Sequence, residues 1–122
     1  MKHTLSIPIT PIPAPRTVRS DTWRPRPAIV RYHDFRDELR RRLPTYQLPG
    51  ELTITFLMPM PKTWSKKKRM AMLGAPHQQR PDCDNLIKAW CDSWQVDDSH
   101  VYEIHAAKYW SERGSIEIEV ED

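Results

Sequence analysis

Glu51-Leu52-Thr53-Ile54-Thr55-Phe56-Leu57-Met58 decides how the rest of this chain is read. Leu52, Ile54, Phe56 and Met58 fall on one phase of a two-residue period, and Glu51, Thr53 and Thr55 fall on the other. Successive side chains of a strand point to opposite faces, so this pattern predicts a half-buried β-strand over 51–58. Pro59 and Pro61 stop it, since proline cannot donate to a ladder. Upstream, Tyr32, Phe35, Leu39 and Leu43 recur at three- and four-residue steps, with Arg36, Asp37, Arg40 and Arg41 elsewhere on the wheel. That spacing predicts an amphipathic helix over 32–43, packed on the sheet, with Pro44 and Gly50 bracketing the turn that follows. Thr4 to Ile9 alternates polar and apolar and predicts an edge strand, shortened by Pro8. Thr10 to Val30 has no periodicity and is read as a basic, proline-rich loop.

Downstream, Leu86, Ile87, Trp90 and Trp94 mark a helix over 84–94. Two alternating stretches close the chain, 101–110 and 115–121, and Arg113-Gly114 between them predicts a hairpin. After Pro61, the basic run to Met70 reads as a short helix leading into a loop, so that 62–80 forms a second basic segment. The expected order is β-α-β-α-β-β, an α+β fold in which helices pack on a mixed sheet.

A chain of 122 residues, 39% of them hydrophobic, fits one domain spanning 1–122. No apolar run approaches the ~20 residues of a membrane span. Met1-Lys2-His3-Thr4 lacks the apolar core of a signal peptide, so a soluble, cytoplasmic protein is expected. Cys83 and Cys91 match no zinc spacing and are expected to stay reduced. Charge is uneven: residues 1–80 carry 16 Lys and Arg against 5 Asp and Glu, and residues 81–122 carry 3 against 11. The first part suits an anionic partner, and the second concentrates the carboxylates a cation would need.

The stretch richest in chemistry is Arg80-Pro81-Asp82-Cys83-Asp84-Asn85-Leu86-Ile87-Lys88. Residues two apart on a helix lie on different faces, whereas in extended chain they share one. Pro81 biases Arg80 away from helical geometry, and Asp82 or Asp84 can serve as N-cap. Both carboxylates are therefore expected where extended chain passes into a helix, facing its positive dipole end and able to converge on one cation. Lys88 follows Asp84 by one turn, and Asp97-Asp98 comes after the helix, where the returning chain can bring a carboxylate back. Hard oxygen donors without a His–Cys set suit Mg²⁺ better than zinc. Helix capping and turn formation account for the same aspartates without any metal. An EF-hand is excluded, because counting Asp82 as its first position puts Ile87 where glycine belongs and Ser93 where the bidentate Glu belongs. Trp64-Ser65-Lys66-Lys67-Lys68-Arg69 combines four consecutive cations with an aromatic, as phosphate binding with base or sugar stacking requires; a solvated charge run is the plainer alternative.

Asp82-Cys83-Asp84-Asn85-Leu86-Ile87-Lys88, continued by Asp97-Asp98-Ser99-His100-Val101, resembles the D-x-D-N-L-x-K…D-D-x-x-V signature of the RusA family of Holliday-junction resolvases. The run from Pro59 to Arg69 and the N-terminal proline- and arginine-rich loop are similar to phage-borne members. Pro81 stands where the family often has a basic residue, with Arg80 one step earlier. The resemblance implies a homodimer that grips four-way junction DNA and nicks two strands with Mg²⁺, with Mn²⁺ as an alternative ion. It implies Asp82, Asp84 and Asp98 as metal-binding catalytic aspartates, Lys88 as catalytic lysine, and a secondary role for Asp97. Arg16, Arg19, Lys66, Lys67, Lys68, Arg69 and Arg80 are the expected DNA contacts. A non-catalytic DNA-binding module and a general structure-selective or RNA nuclease are the competing readings.

Overall fold

A computed structural model of the chain describes residues 2–16, 18–94 and 96–121, with the side chain of Asp98 outside that description. Its elements are β1 (Lys2–Ile7), α1 (Pro27–Arg42), β2 (Glu51–Pro59), α2 (Lys66–Met72), α3 (Cys83–Asp92), β3 (Glu103–Ser111) and β4 (Ser115–Glu121), with 3₁₀ turns at Arg19–Thr22 and Asp98–His100. β2 is the centre of a four-stranded mixed sheet of order β1-β4-β2-β3. β3 runs parallel to it and β4 antiparallel, so that Ile54 stands between Ala106 on one side and Ile118 on the other. Leu52, Ile54, Phe56, Met58, Ile116 and Ile118 form one buried face, as the alternation requires. α1 covers it with Ile29, Tyr32, Phe35 and Leu39, and α3 with Leu86, Ala89, Trp90 and Cys91. The opposite face, with Thr53, Thr55, Glu117 and Glu119, stays partly or fully exposed.

The α+β architecture and its element order are those expected, and four local readings need correction. The expected hairpin of the last two strands does not form, because β2 lies between them. Glu112–Gly114 instead crosses the end of β2, and a short glycine turn with alternating strands on either side looks the same in both cases. Gly114 is required there by space: a Cβ would lie 2.4 Å from Thr10 Oγ1 and 2.6 Å from Thr10 Cα. β1 ends at Ile7, before Pro8, rather than reaching Ile9. α1 begins at Pro27, inside the stretch read as loop; proline's fixed φ and missing N–H suit the first helical position. α3 closes at Asp92, two residues early. Of the five tryptophans, Trp90, Trp94 and Trp110 are buried and Trp64 is half-buried, while Trp23, 70% exposed, faces outward.

Candidate functional site

The helix that carries the acidic motif begins where the spacing argument puts it. Asp82 is extended (φ −69°, ψ 148°), and α3 starts at the next residue, with Leu86 N donating to the Asp82 carbonyl at 3.2 Å. The Asp82 carboxylate accepts no capping hydrogen bond, and Asp84 Oδ1 accepts one from the N–H of Asn85 at 3.0 Å. Asp82, at the N-cap, and Asp84, in the first turn of α3, are both exposed. Beneath them, Leu86, Ala89 and Trp90 lock α3 onto the sheet, and Arg40 Nε of α1 donates to the Ser93 carbonyl at 2.6 Å. The two carboxylates thus sit on the open rim of a helix whose other face is fixed in the core.

A residue passed over in the sequence holds the segment before them. Lys108 lies on the inward phase of β3, in register with Phe56, where Ala106 and Trp110 are its apolar neighbours. Its ammonium donates to the carbonyls of Gln79 and Pro81, each at 2.6 Å. The signal was a single cation on the core-facing phase of an alternating strand. Beside it, Gly74–His77 runs along the outer edge of β3, through Gly74 N to Trp110 O (2.9 Å), Trp110 N to Ala75 O (2.9 Å) and His77 N to Lys108 O (3.1 Å). His77 is 5% exposed, with its ring 4.2 Å from that of Trp110. Burial first, and the Lys108 charge second, hold its pKa below the ordinary histidine value, which keeps the imidazole neutral. Burial likewise pushes the Cys83 thiol up, so this free cysteine is a thiol rather than a nucleophile.

Lys88 turns down the helix. Its ammonium lies 3.3 Å from Asp92 Oδ2, and the same oxygen accepts from the Tyr32 hydroxyl at 2.9 Å. Burial, and then the Asp92 carboxylate, raise the Tyr32 pKa far above the ordinary phenol value. Asp92 is therefore a second residue the sequence reading missed. Asp97 shapes a turn: its Oδ1 accepts from Ser99 N at 3.0 Å and its carbonyl from His100 N at 3.0 Å. Asp98 opens that 3₁₀ turn, and its side chain lies outside the described residues. Among the described residues no three His, Cys, Asp or Glu side chains gather around one point. Asp82 and Asp84 still fit a hard divalent cation, because each offers carboxylate oxygens at the surface, and the Cys83 thiol between them is kept protonated by burial.

The basic residues fall into two groups. Arg19, Lys66, Lys67 and Arg80 are exposed, as is Arg16. Lys68 has its ammonium 4.3 Å from the centroid of the Trp64 ring, and Arg69 Nη1 donates to the Pro61 carbonyl at 2.9 Å. Arg16 belongs to a loop that rests on the acidic helix: Ala14 N donates to the Asn85 carbonyl at 3.1 Å and Pro11 is buried. A knot then closes the loop, in which Asp21 accepts from Val18 N (2.8 Å) and from Arg26 Nε and Nη2 (both 3.0 Å). The fold brings the N-terminal arginine loop to the start of α3.

Comparison with known families matches residues 8–121 to the family model described as Endodeoxyribonuclease RusA. No curated protein matches the sequence.

Proposed function

Because the chain belongs to the RusA endodeoxyribonuclease family, we propose that it is a divalent-cation-dependent endonuclease that resolves four-way DNA junctions by paired nicking. The observation that carries this is the pair Asp82 and Asp84, both on the rim where extended chain becomes α3, beside a loop that presents Arg16. These two carboxylates, with Asp98, would hold Mg²⁺, or Mn²⁺ in its place. The ion when bound supplies Lewis-acid polarisation of the scissile phosphate and a more acidic water. Lys108 keeps Gln79–Pro81 against β3 and so fixes where Asp82 stands. The Lys88 ammonium, shared with Asp92, lies one turn from Asp84 and can exchange onto an incoming phosphate, where it offsets the charge developing in the transition state. Lys66, Lys67, Arg16, Arg19 and Arg80 hold the DNA backbone, together with Lys68 and Arg69. A two-fold homodimer places two such sites on opposing strands of a junction. Among the described residues no helix is long and apolar enough to cross a membrane, and we place the protein's work in the cytoplasm.

The test is cleavage of a labelled synthetic four-way junction by wild type and Asp84→Asn, with and without Mg²⁺. Paired symmetric nicks that need the metal and vanish in the variant are the expected result. Junction binding without cutting under Mg²⁺ or Mn²⁺ would overturn it in favour of a non-catalytic binding module. Equal cutting of flaps or RNA hairpins would replace it with a general structure-selective nuclease.

A further inference from the structure

α2 has no fully buried side chain, unlike α1 and α3, and Met72 near its end packs only partly against the core. Seven residues cannot sustain a helix in water by themselves, so neighbours must hold it. Ser65 Oγ accepts from Lys68 N at 3.1 Å as N-cap, Trp64 packs on Trp110 with centroids 4.7 Å apart, and Gly74 N bonds Trp110 O on β3. The helix is thus anchored at both ends while its body projects outward. On that body Met70 is 73% exposed, and Leu73, one step past the helix on the same side, is 55% exposed. A groove of about 420 Å³ runs beside them, lined by Trp64, Lys66, Arg69, Met70, Leu73 and Glu112.

Scattered exposed apolar side chains need no explanation, but two adjacent ones on a four-cation helix do. Lys66 and Arg69 line the groove with this apolar tip, Lys67 and Lys68 belong to the same helix, and Glu112 is the one carboxylate among the lining residues. The complementary partner is a polyanion that also offers a flat apolar surface, which describes a nucleobase between phosphates. Continuous duplex hides its base faces, whereas a branch point or unpaired nucleotide shows them. Trp64, the aromatic that the sequence suggests for stacking, is already engaged by Trp110 and by the Lys68 ammonium. Methionine, flexible and polarisable, adapts to an irregular aromatic surface, and apolar side chains that wedge against unstacked bases are a known means of reading distorted DNA.

We propose that Met70 and Leu73 form an apolar wedge that packs on a base face exposed at a DNA branch point, while the α2 cations hold the flanking phosphates. This rests on the DNA-binding reading above and deepens it: the cations supply affinity for any DNA, and the wedge supplies preference for branched over continuous duplex.

The experiment uses the full chain without divalent metal, a four-way junction with 2-aminopurine at the branch nucleotide, and a continuous duplex of equal length. Wild type should change the 2-aminopurine fluorescence on binding. Met70→Ser/Leu73→Ser should abolish that change and weaken junction binding roughly tenfold, leaving duplex affinity and its salt slope intact. Met70→Leu should keep the wild-type behaviour. The double variant should also fold, since neither side chain is buried, and an unchanged melting temperature checks this. A fluorescence change that survives the double substitution overturns the wedge, as does an equal loss on junction and duplex. So does tighter binding of wild type to phosphatidylserine vesicles than to the junction. If wild type binds no DNA at all, the functional reading itself falls; if it binds with a normal salt slope but silent 2-aminopurine, only the wedge falls.

Discussion

α2 and α3 are short helices on the same domain, and they are held in opposite ways. α3 inserts Leu86, Ala89 and Trp90 into the core, is tied to α1 through Arg40, and has the segment before it pinned by Lys108. α2 has no fully buried side chain and rests on its cap, its end connections, the Arg69–Pro61 hydrogen bond and a partly buried Met72. The contrast fits the roles we propose for each helix. Carboxylates that share a cation must be placed to within fractions of an ångström, and packing supplies that rigidity. Cations that capture a polyanion act over a screening length of about 10 Å at ordinary salt, so they need reach rather than fixed placement. Rigidity goes to the carboxylates, and exposure is kept for the lysines.

The largest effect that separates the two helices is on stability. Trp90→Ala should cost about 3–5 kcal/mol in urea unfolding, because this α3 side chain is wholly buried in the core against the Tyr46 and Trp94 rings. Replacing Lys66, Lys67 and Lys68 by Ala should cost only about 0.5 kcal/mol each. The triple variant should instead flatten the dependence of DNA affinity on salt, by up to about 0.9 in log–log slope for each phosphate it no longer neutralises. A salt slope equal to wild type removes α2 from the DNA interface, and a large loss of stability makes it a structural helix like α3. Next in size is Lys108→Met, which leaves the Gln79 and Pro81 carbonyls without their donor and should cost about 1–3 kcal/mol. It should also raise the Mg²⁺ concentration for half-maximal cleavage, with Lys108→Arg restoring part of the loss. Wild-type metal dependence in Lys108→Met would mean that β3 does not position the acidic rim.

Much of this contrast could be read in the chain before its fold was known. The period-two pattern of Leu52, Ile54, Phe56 and Met58 placed β2 within one residue, because half-burial writes itself directly into alternation. The step from extended to helical chain at Asp82 followed from Pro81 and the two-residue spacing. Strand order was not legible: Arg113-Gly114 serves a crossing over β2 as well as a hairpin, and only the tertiary neighbours of β3 and β4 decide between them. The start of α1 was hidden by Pro25 and Pro27, which read as loop residues although Pro27 fills the first helical position. Lys108 and Asp92 escaped notice for one reason. Each acts on a group distant in sequence, the Gln79 and Pro81 carbonyls in one case and the Tyr32 hydroxyl in the other, and local spacing carries no record of such partners. α2 was legible as a charge run and as a short helix, but nothing in the sequence showed that it leaves Met70 and Leu73 bare.

The arginine loop falls between the two helices, and a pH titration shows to which of them it is closer. It rests on α3 at Asn85, like a built element, yet its far end is closed by the Asp21–Arg26 knot, from which Arg26 Nη2 also donates to the Arg16 carbonyl. The Asp21 side chain is 6% exposed while Arg26 is 47% exposed, so the shielding comes from the loop's own fold rather than from the core. The Arg26 hydrogen bonds first, and the Val18 N–H next, lower the Asp21 pKa from 3.8 to about 2. A depressed pKa means that the folded loop prefers the carboxylate. Its contribution is therefore fully present above the ordinary value, and it is lost as pH falls through the interval from 3.8 toward 2. Arg26 keeps its charge throughout. The Val18 amide proton, which donates to Asp21 at 2.8 Å, should shift in NMR with a midpoint near 2, and Asp21→Asn should remove the titration without affecting α3. A midpoint at 3.8 would mean that the knot is open in solution, leaving Arg16 and Arg19 as free to move as the α2 lysines.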